Sequence, residues 1–453
     1  MNQQKAGARR RQRSPAAAIG AWRPPEGLTL AVASVGLIYA AHFLYGALVT
    51  DVAMAMDIGA ALILAGVLID PRLRQDLIAV KGLILPGLAL AAVIAAALVS
   101  LTPWAPGGPH PVWEYVGAAG RAATLDRSTT LVEIVKLLGL GCLFLAGAAA
   151  GATDERARTT LNLTIFLGFI FGLWAFFAYV TGAIYQSQPR RLEAEFLNPN
   201  TAGTIFGVLL VLTTGLLARR LRAAAPKARI TESLPLAAAG LVFLACLIAT
   251  ASRSAFAATA AALLFFIASQ VLLGRWKLRA AAFGVLAAAA FGALLLAIAG
   301  QVLVTRFLGT GEAALARAYI WKIHWEAFLS APLLGHGLGV FETVNKTLIT
   351  PANFGDLWNI RSALNVYLQW LEQAGLLGAV PMFLCIGLII AATLGNTLQR
   401  SRMTGPLFAL LAADLLILFH GTTDFALETP SVSAFWSLLL GLQFSLARGR
   451  SAR

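Results

Sequence analysis

The chain has 453 residues, of which 58% are apolar and only 12% charged, and its formal net charge is +14. Runs of Ala, Leu, Val, Ile and Phe near the roughly 20 residues that span a bilayer exclude a soluble fold and predict a polytopic membrane protein. A positive surplus of this size suggests a nucleic-acid binder, but the placement of the charges gives it another origin.

In chain order, a basic stretch (Lys5, Arg9, Arg10, Arg11, Arg13, Arg23) precedes about twelve expected spans: 28–49, 52–69, 83–104, 131–152, 161–185, 201–218, 235–251, 254–273, 280–304, 376–396, 406–420 and 430–446. The first run is long enough to stay in the membrane and no small-residue cleavage site follows a short apolar core, so no cleavable signal peptide is expected. The fold class is therefore all-α: a transmembrane helical bundle forming one domain over 28–446, with a basic N-terminus (1–27) and a short tail (447–453). If the N-terminus is cytoplasmic, so are the connections bearing Arg72, Arg74 and Lys81; Arg156 and Arg158; Arg219, Arg220, Arg222, Lys227 and Arg229; Arg275, Lys277 and Arg279; and Arg400 and Arg402. The tail adds Arg448, Arg450 and Arg453. Most of the 35 Lys and Arg then share the side on which positive charge is retained, with both termini cytoplasmic. The surplus is topological, and no nucleic-acid partner is expected.

The same topology sends 105–130, 186–200, the turn Ser252–Ser254, the long segment 305–362 and the turn 421–429 to the outer, periplasmic face. Cys142, Cys246 and Cys385 lie far apart inside apolar runs and read as small core residues, not as a disulfide frame or metal site. No phosphate loop of the G-x-x-x-x-G-K-[ST] kind occurs, and "GHGLG" (Gly335–Gly339) follows "APLL", not the strand of a nucleotide-binding unit. Nor does a D-x-D pair offer to hold a divalent metal. No cofactor or metal is expected, and chemistry outside the cell without nucleotide would need a substrate that arrives already activated, as a glycan on a polyprenyl diphosphate does.

At the far end of the longest polar interruption stands "RSALNVYLQWLEQAGLLG" (Arg361–Gly378). Read as a helix, its spacing puts Arg361, Asn365, Gln369 and Glu372 on one face. Upstream, Arg317, Trp321, His324 and Phe328 share a face of an expected interfacial helix, with Trp321 and Trp325 placed as membrane-belt aromatics.

Three segments resemble the signature stretches of the O-antigen ligase and polymerase superfamily: "ARAYIWKIHWEAFLSAPLLGHGLGVF" (Ala316–Phe341), "LNVYLQWLEQAGLLG" (Leu364–Gly378) and "HGTTDFALETPSVSAFWSLLLGL" (His420–Leu442). "RRLEAEFLNPNTAG" (Arg190–Gly203) and "ATASRSAF" (Ala249–Phe256) precede them in matching order. The resemblance covers about the second half of the chain. It implies a multi-span glycosyltransferase of GT-C type that takes glycan from undecaprenyl diphosphate on the periplasmic face of the inner membrane. The expected partners are the polyprenyl-diphosphate-linked glycan, an acceptor glycan and the lipid bilayer.

On this reading Arg253, at membrane-edge depth where an uncompensated charge is costly, and Arg317 are the arginines that face phosphate. A guanidinium suits a diphosphate because its planar fork donates several hydrogen bonds and stays charged. Trp321 is expected to stack on a sugar, and Arg190, Arg191 and Asn200 are further substrate contacts, although a polar loop with two arginines is usually only solvated. In the ligase branch the segment resembling 364–378 has a catalytic histidine, then Asn, Ser or Gln, nine residues and G-x-x-G. Here Asn365 keeps that spacing to "GLLG" (Gly375–Gly378), but the histidine position is Leu364, which can neither take nor give a proton.

The departure favours a polymerase over a ligase that hands glycan to lipid A core or protein. Glu372 becomes the expected base, unless it merely neutralises an arginine, with His324, His336 and His420 behind it. Asp424 with Glu428 either positions acceptor hydroxyls or supplies ordinary turn acids, while Asp414 and Lys136 are expected to pair helices. A transporter that binds the lipid diphosphate without chemistry is the alternative of another class, but neither related halves nor paired interrupted helices stand out.

The topology has a direct check. A reporter active only outside the cytoplasm should be silent when fused after residue 225 or 398 and active near 115 or 345; the reverse pattern contradicts the assignment of the site loops.

Overall fold

The computed structural model describes residues 25–116, 121–183, 191–223, 229–279 and 310–449, with the isolated helical residues 282 and 286. Most of the expected span 280–304, most of the basic N-terminus and Arg190 lie outside the described residues. Among the described residues the regular structure is all helical, a polytopic bundle. Its first ten helices are α1 (Leu28–Phe43), α2 (Thr50–Ile69), α3 (Pro71–Ile78), α4 (Ile84–Ser100), α5 (Trp113–Val116), α6 (Arg127–Gly151), α7 (Asp154–Thr181), α8 (Pro199–Ala223), α9 (Arg229–Ala249) and α10 (Arg253–Leu272). Six more follow: α11 (Thr310–Ser330), α12 (Phe341–Leu348), α13 (Phe354–Leu357), α14 (Val366–Leu398), α15 (Thr404–His420) and α16 (Pro430–Arg448). Eight of these are long and apolar enough to cross a membrane, and α1, α4 and α15 are shorter apolar helices. Together they occupy the other eleven expected spans.

The centre is the pair α6 and α16. A Cβ added to Gly147, Gly151 or Gly441 would collide with the carbonyls of Leu438, Leu442 and Phe144 respectively, so the two backbones touch. Small residues at such a crossing let van der Waals contact and weak polar contacts hold helices where no hydrophobic driving force acts between them. Helix α16 is almost wholly enclosed, whereas most of α14 faces outward. Asp414 ties α15 to α16, accepting from Trp436 Nε1 (2.8 Å) and Gln443 Nε2 (2.6 Å). Lys136 pairs with Glu133 one turn away on α6, at 2.5 Å. The three cysteines are free, Cys246 and Cys385 being buried and Cys142 half-buried.

Charge separates the two faces of the bundle. On one face Arg156 bonds Glu26 and Asp76 as well as the Ala149 carbonyl, and Arg400 bonds Asp154 and the Gly449 carbonyl, so the ends of α1, α3, α6, α7 and α16 are pinned together. The opposite face carries the starts of α8, α10 and α14 and the end of α15, joined by side chains and by the bond from Val366 N–H to the Gly421 carbonyl (2.9 Å). That second face is the one on which the candidate residues meet.

The stripe Arg361–Glu372 is not one helix face. Asn365 is the N-cap of α14, its Oδ1 accepting from Tyr367 N (3.0 Å) and Leu368 N (3.1 Å), so Arg361 stays in the preceding loop. The helix then runs for 33 residues across the expected boundary at 376, through a kink at Gly375 (φ 58°, ψ −171°). Segment 332–337 fills the opened turn. Leu376 N and Leu377 N donate to the carbonyls of Pro332 (2.8 Å) and Leu333 (2.9 Å), while His336 N and Gly337 N donate to those of Glu372 and Gln373 (both 2.9 Å). A Cβ at Gly335 would stand 2.5 Å from that backbone, which is why "LLGHG" and "GLLG" carry glycines. These signature segments form a backbone clasp that satisfies the opened groups of Glu372, Gln373, Leu376 and Leu377, as a bilayer setting demands.

Candidate functional site

Six of the candidates come together at the site face. The loop before α8 is closed by Asn198, whose Oδ1 accepts from Asn200 N (2.7 Å) and Thr201 N (3.3 Å) as an N-cap does. This fixes Asn200 in the first turn, where its amide joins three segments. Its Oδ1 accepts from Ser252 Oγ (2.8 Å) and Arg191 Nη2 (3.3 Å), and its Nδ2 donates to Asp424 Oδ1 (3.1 Å). Arg191 is itself buried and donates from Nε to the Thr250 carbonyl (2.9 Å) at the end of α9, so it locks the loop to that helix end. Positive charge at a helix C-terminus is favourable.

Arg253 opens α10 directly after its N-cap Ser252 and is half-buried. Arg317, also half-buried, arrives from α11 and lies within electrostatic reach of Arg253, Asp424 and His420. Burial lowers its pKa below the ordinary guanidinium value; Asp424 opposes the shift and Arg253 adds to it. His420 is enclosed, with Nδ1 at 2.7 Å from Thr204 Oγ1, Nε2 at 2.9 Å from Ser254 Oγ, and Nδ1 at 4.0 Å from Asp424 Oδ2. Several residues around the site hold left-handed backbone that their side chains disfavour: Ala194, Leu197, Ala251 and Leu364 all have φ between 49° and 54°. Such strain persists only where surroundings impose it, and it gathers at functional sites. Leu364 stands two residues from the Val366–Gly421 bond, so the position of the ligase-branch histidine adjoins the end of α15.

A second group is closed. His324 and Glu372 are both fully buried, with Nδ1 at 3.0 and 3.1 Å from the two carboxylate oxygens, and Phe341 stacks on the imidazole at 4.4 Å. Glu372 therefore meets a histidine of α11, not Arg361, and its enclosure keeps an acceptor hydroxyl from reaching it in this conformation. Gln369 Oε1 accepts from Ala363 N (3.0 Å), and Trp321 Nε1 donates to the Ala363 carbonyl (2.9 Å) with its ring packed beside Phe341 and Leu368. These side chains brace α11 and the 361–365 loop against α14. Arg361 is exposed.

Glu428 stands apart from Asp424. Burial raises its carboxyl to about 7, the charge of Glu133 adding to this and Lys136 opposing, so it belongs beside the α6 pair. His336 is buried and bonds the Ala327 carbonyl at 3.0 Å. Among the described residues no group of three or more His, Cys, Asp or Glu side chains could hold a metal ion. Sequence reasoning missed Thr204, Ser252 and Ser254; the hydroxyls flanking Arg253 in "SRS" were the available signal.

Fold and site together describe a membrane-embedded helical protein with a cationic, hydroxyl-lined cluster at one rim. Residues 238–384, about a third of the chain, match the family model described as O-Antigen ligase. The match bears out the resemblance to that superfamily and supports a membrane glycosyltransferase of the O-antigen ligase or polymerase type. It contains Arg253, Ser254, Arg317 and Glu372, whereas Arg191, Asn200, His420 and Asp424 lie outside it. No curated protein matches the chain.

The closed pair carries a prediction about stability. Glu372→Ala leaves the buried His324 N–H unpaired, a loss of about 1–3 kcal/mol, and should lower the thermal midpoint of the purified protein; Glu372→Gln keeps an acceptor and should retain most transfer activity. Abolished transfer in Glu372→Gln with an unchanged midpoint would restore Glu372 as the base.

Proposed function

We propose that the protein is a polysaccharide polymerase, transferring oligosaccharide from a polyprenyl diphosphate to the end of an acceptor glycan on the periplasmic face of the inner membrane. The observation that carries this reading is the convergence of Arg253 and Arg317, two half-buried guanidinium groups from separate helices, near the Asp424 carboxylate. Two guanidinium groups converging at a membrane rim suit an anionic ligand, and a diphosphate has the charge and the oxygens to engage both forks. The basic connections gathered on the opposite face support placing that face in the cytoplasm and the site outside.

The chemistry follows from where charge develops. As the glycosidic carbon leaves the diphosphate, negative charge grows on the departing oxygen, and donors already aimed at it lower the barrier without reorganising. Asn200, half-buried beside the arginines and held by the enclosed Asp424, suits the binding of acceptor hydroxyls. Arg191 and the Glu372–His324 pair hold the elements that carry these groups, and Asn365, Gln369 and Trp321 fix the loop that borders them.

A ligase that transfers glycan to lipid A core or protein is the second reading, favoured by the description of the matched family and disfavoured by Leu364. Purified protein given a polyprenyl-diphosphate oligosaccharide should release polyprenyl diphosphate and lengthen the glycan without added nucleotide. Arg253→Ala or Arg317→Ala should each slow this about a hundredfold, with lysine rescuing only in part because it keeps the charge and loses the fork. Transfer only to a lipid A core acceptor would establish the ligase reading, and movement of lipid-linked glycan with no bond formed would establish a transporter.

A further inference from the structure

The proposed transfer needs a group to take the proton of the acceptor hydroxyl, and Leu364 cannot. Hydrogen-bond bookkeeping around His420 identifies another route. Thr204 Oγ1 donates its one hydrogen to the Asn200 carbonyl, 3.2 Å away in the turn before it. With that hydrogen on the carbonyl, the 2.7 Å contact with His420 Nδ1 is made by a hydrogen on Nδ1. In the neutral ring Nε2 is then the acceptor, and the Ser254 hydroxyl at 2.9 Å donates to it. In this tautomer the Ser254 hydrogen points to the imidazole, while its oxygen keeps a lone pair for an incoming hydroxyl. His420 is only 1% exposed and cannot meet a glycan itself; Ser254 is half-buried and adjoins Arg253.

We propose that Ser254 accepts the proton of the acceptor hydroxyl and passes its own to His420, a two-step relay that replaces the absent histidine at position 364. The inference rests on the transferase reading above. The acceptor oxygen bonds the anomeric carbon as the bond from that carbon to the diphosphate oxygen breaks, and the electron pair leaves with the diphosphate. The acceptor proton moves to Ser254 Oγ and the Ser254 proton to His420 Nε2. The resulting imidazolium is held by Thr204 at Nδ1 and by the Asp424 carboxylate 4.0 Å away, and it returns its proton to water when product leaves. The groups facing His420 set the balance. Burial is the largest influence on the ring; the charged groups around it are Asp424, from the turn that follows it, and Arg317 from α11, while α8 contributes the uncharged Thr204 and α10 contributes Ser254 with Arg253 beside it. Ser254 is the catalytic residue in this scheme, and His420 acts through it.

The test uses the purified full-length protein with a polyprenyl-diphosphate oligosaccharide, and glycan-free polyprenyl diphosphate as the binding probe. Ser254→Ala should lower kcat about a hundredfold, leaving KM for the donor and binding of the probe unchanged, and Ser254→Thr should restore much of the rate. In wild type, kcat should fall as acid protonates His420, and His420→Gln should lose that acid limb together with most of the rate. Wild-type kcat in Ser254→Ala, or an unchanged acid limb in His420→Gln, overturns the relay. Loss of probe binding in both Ser254 variants overturns it too, by assigning Ser254 a role in the architecture alone. A wild type that binds donor and transfers nothing contradicts the transferase reading on which the relay rests, an outcome separate from an active wild type indifferent to Ser254.

Discussion

One side-chain amide joins the parts of this site. Asn200 accepts from Arg191 and Ser252 and donates to Asp424, linking the loop before α8, the start of α10 and the turn after α15. At a membrane rim a buried polar group without a partner is costly, so each of these bonds holds an element as well as satisfying an atom. The left-handed backbone at Ala194, Leu197 and Ala251, on both sides of the amide, persists because those bonds leave the chain no easier path. Arg253 and Ser254 follow Ser252 without a break, and His420 lies one turn from Asp424, so their placement is inherited from this junction.

The two clusters differ in accessibility. Arg253 and Arg317 are half-buried, while His324, seven residues along α11 from Arg317, and Glu372 of α14 are fully enclosed. A charged or strongly hydrogen-bonded pair inside a helix junction is weak as a source of net stability but costly to break, which suits a brace that sets where Arg317 points. The clasp at Gly375 serves the same end by backbone means, since segment 332–337 follows α11 directly and is fastened into α14.

Much of the architecture was legible because a bilayer constrains it so tightly. Eleven of the expected spans coincide with apolar helices, since length and composition are nearly all that a span requires. The stripe at Arg361–Glu372 was misread for a physical reason: helical spacing is a pattern, but Asn365 is a better N-cap than an interior residue, and its bonds to Tyr367 N and Leu368 N start the helix there. Glu372 drew attention as the acid on that expected stripe once Leu364 stood at the histidine position, and only the fold shows that its partner is a histidine 48 residues earlier. Arg253, Arg317, Asn200 and Asp424 were legible as separate suspects, but their convergence was not, because no local rule in sequence brings residues 200, 253, 317 and 424 to one rim. Ser254 escaped notice for a simpler reason: a serine beside an arginine is ordinary until its hydroxyl is found on an imidazole nitrogen.

The central claim is that Arg253 and Arg317 together receive the diphosphate of a lipid-linked glycan at the rim built around Asn200. An electron cryo-microscopy structure of the protein in a lipid disc, bound to polyprenyl diphosphate, tests it most directly. The account predicts diphosphate density within hydrogen-bond distance of both guanidinium groups, with the prenyl chain leaving toward the bilayer on the same side. Diphosphate held at the opposite face by Arg72, Arg158 or Arg220, with Arg253 and Arg317 unengaged, would contradict it.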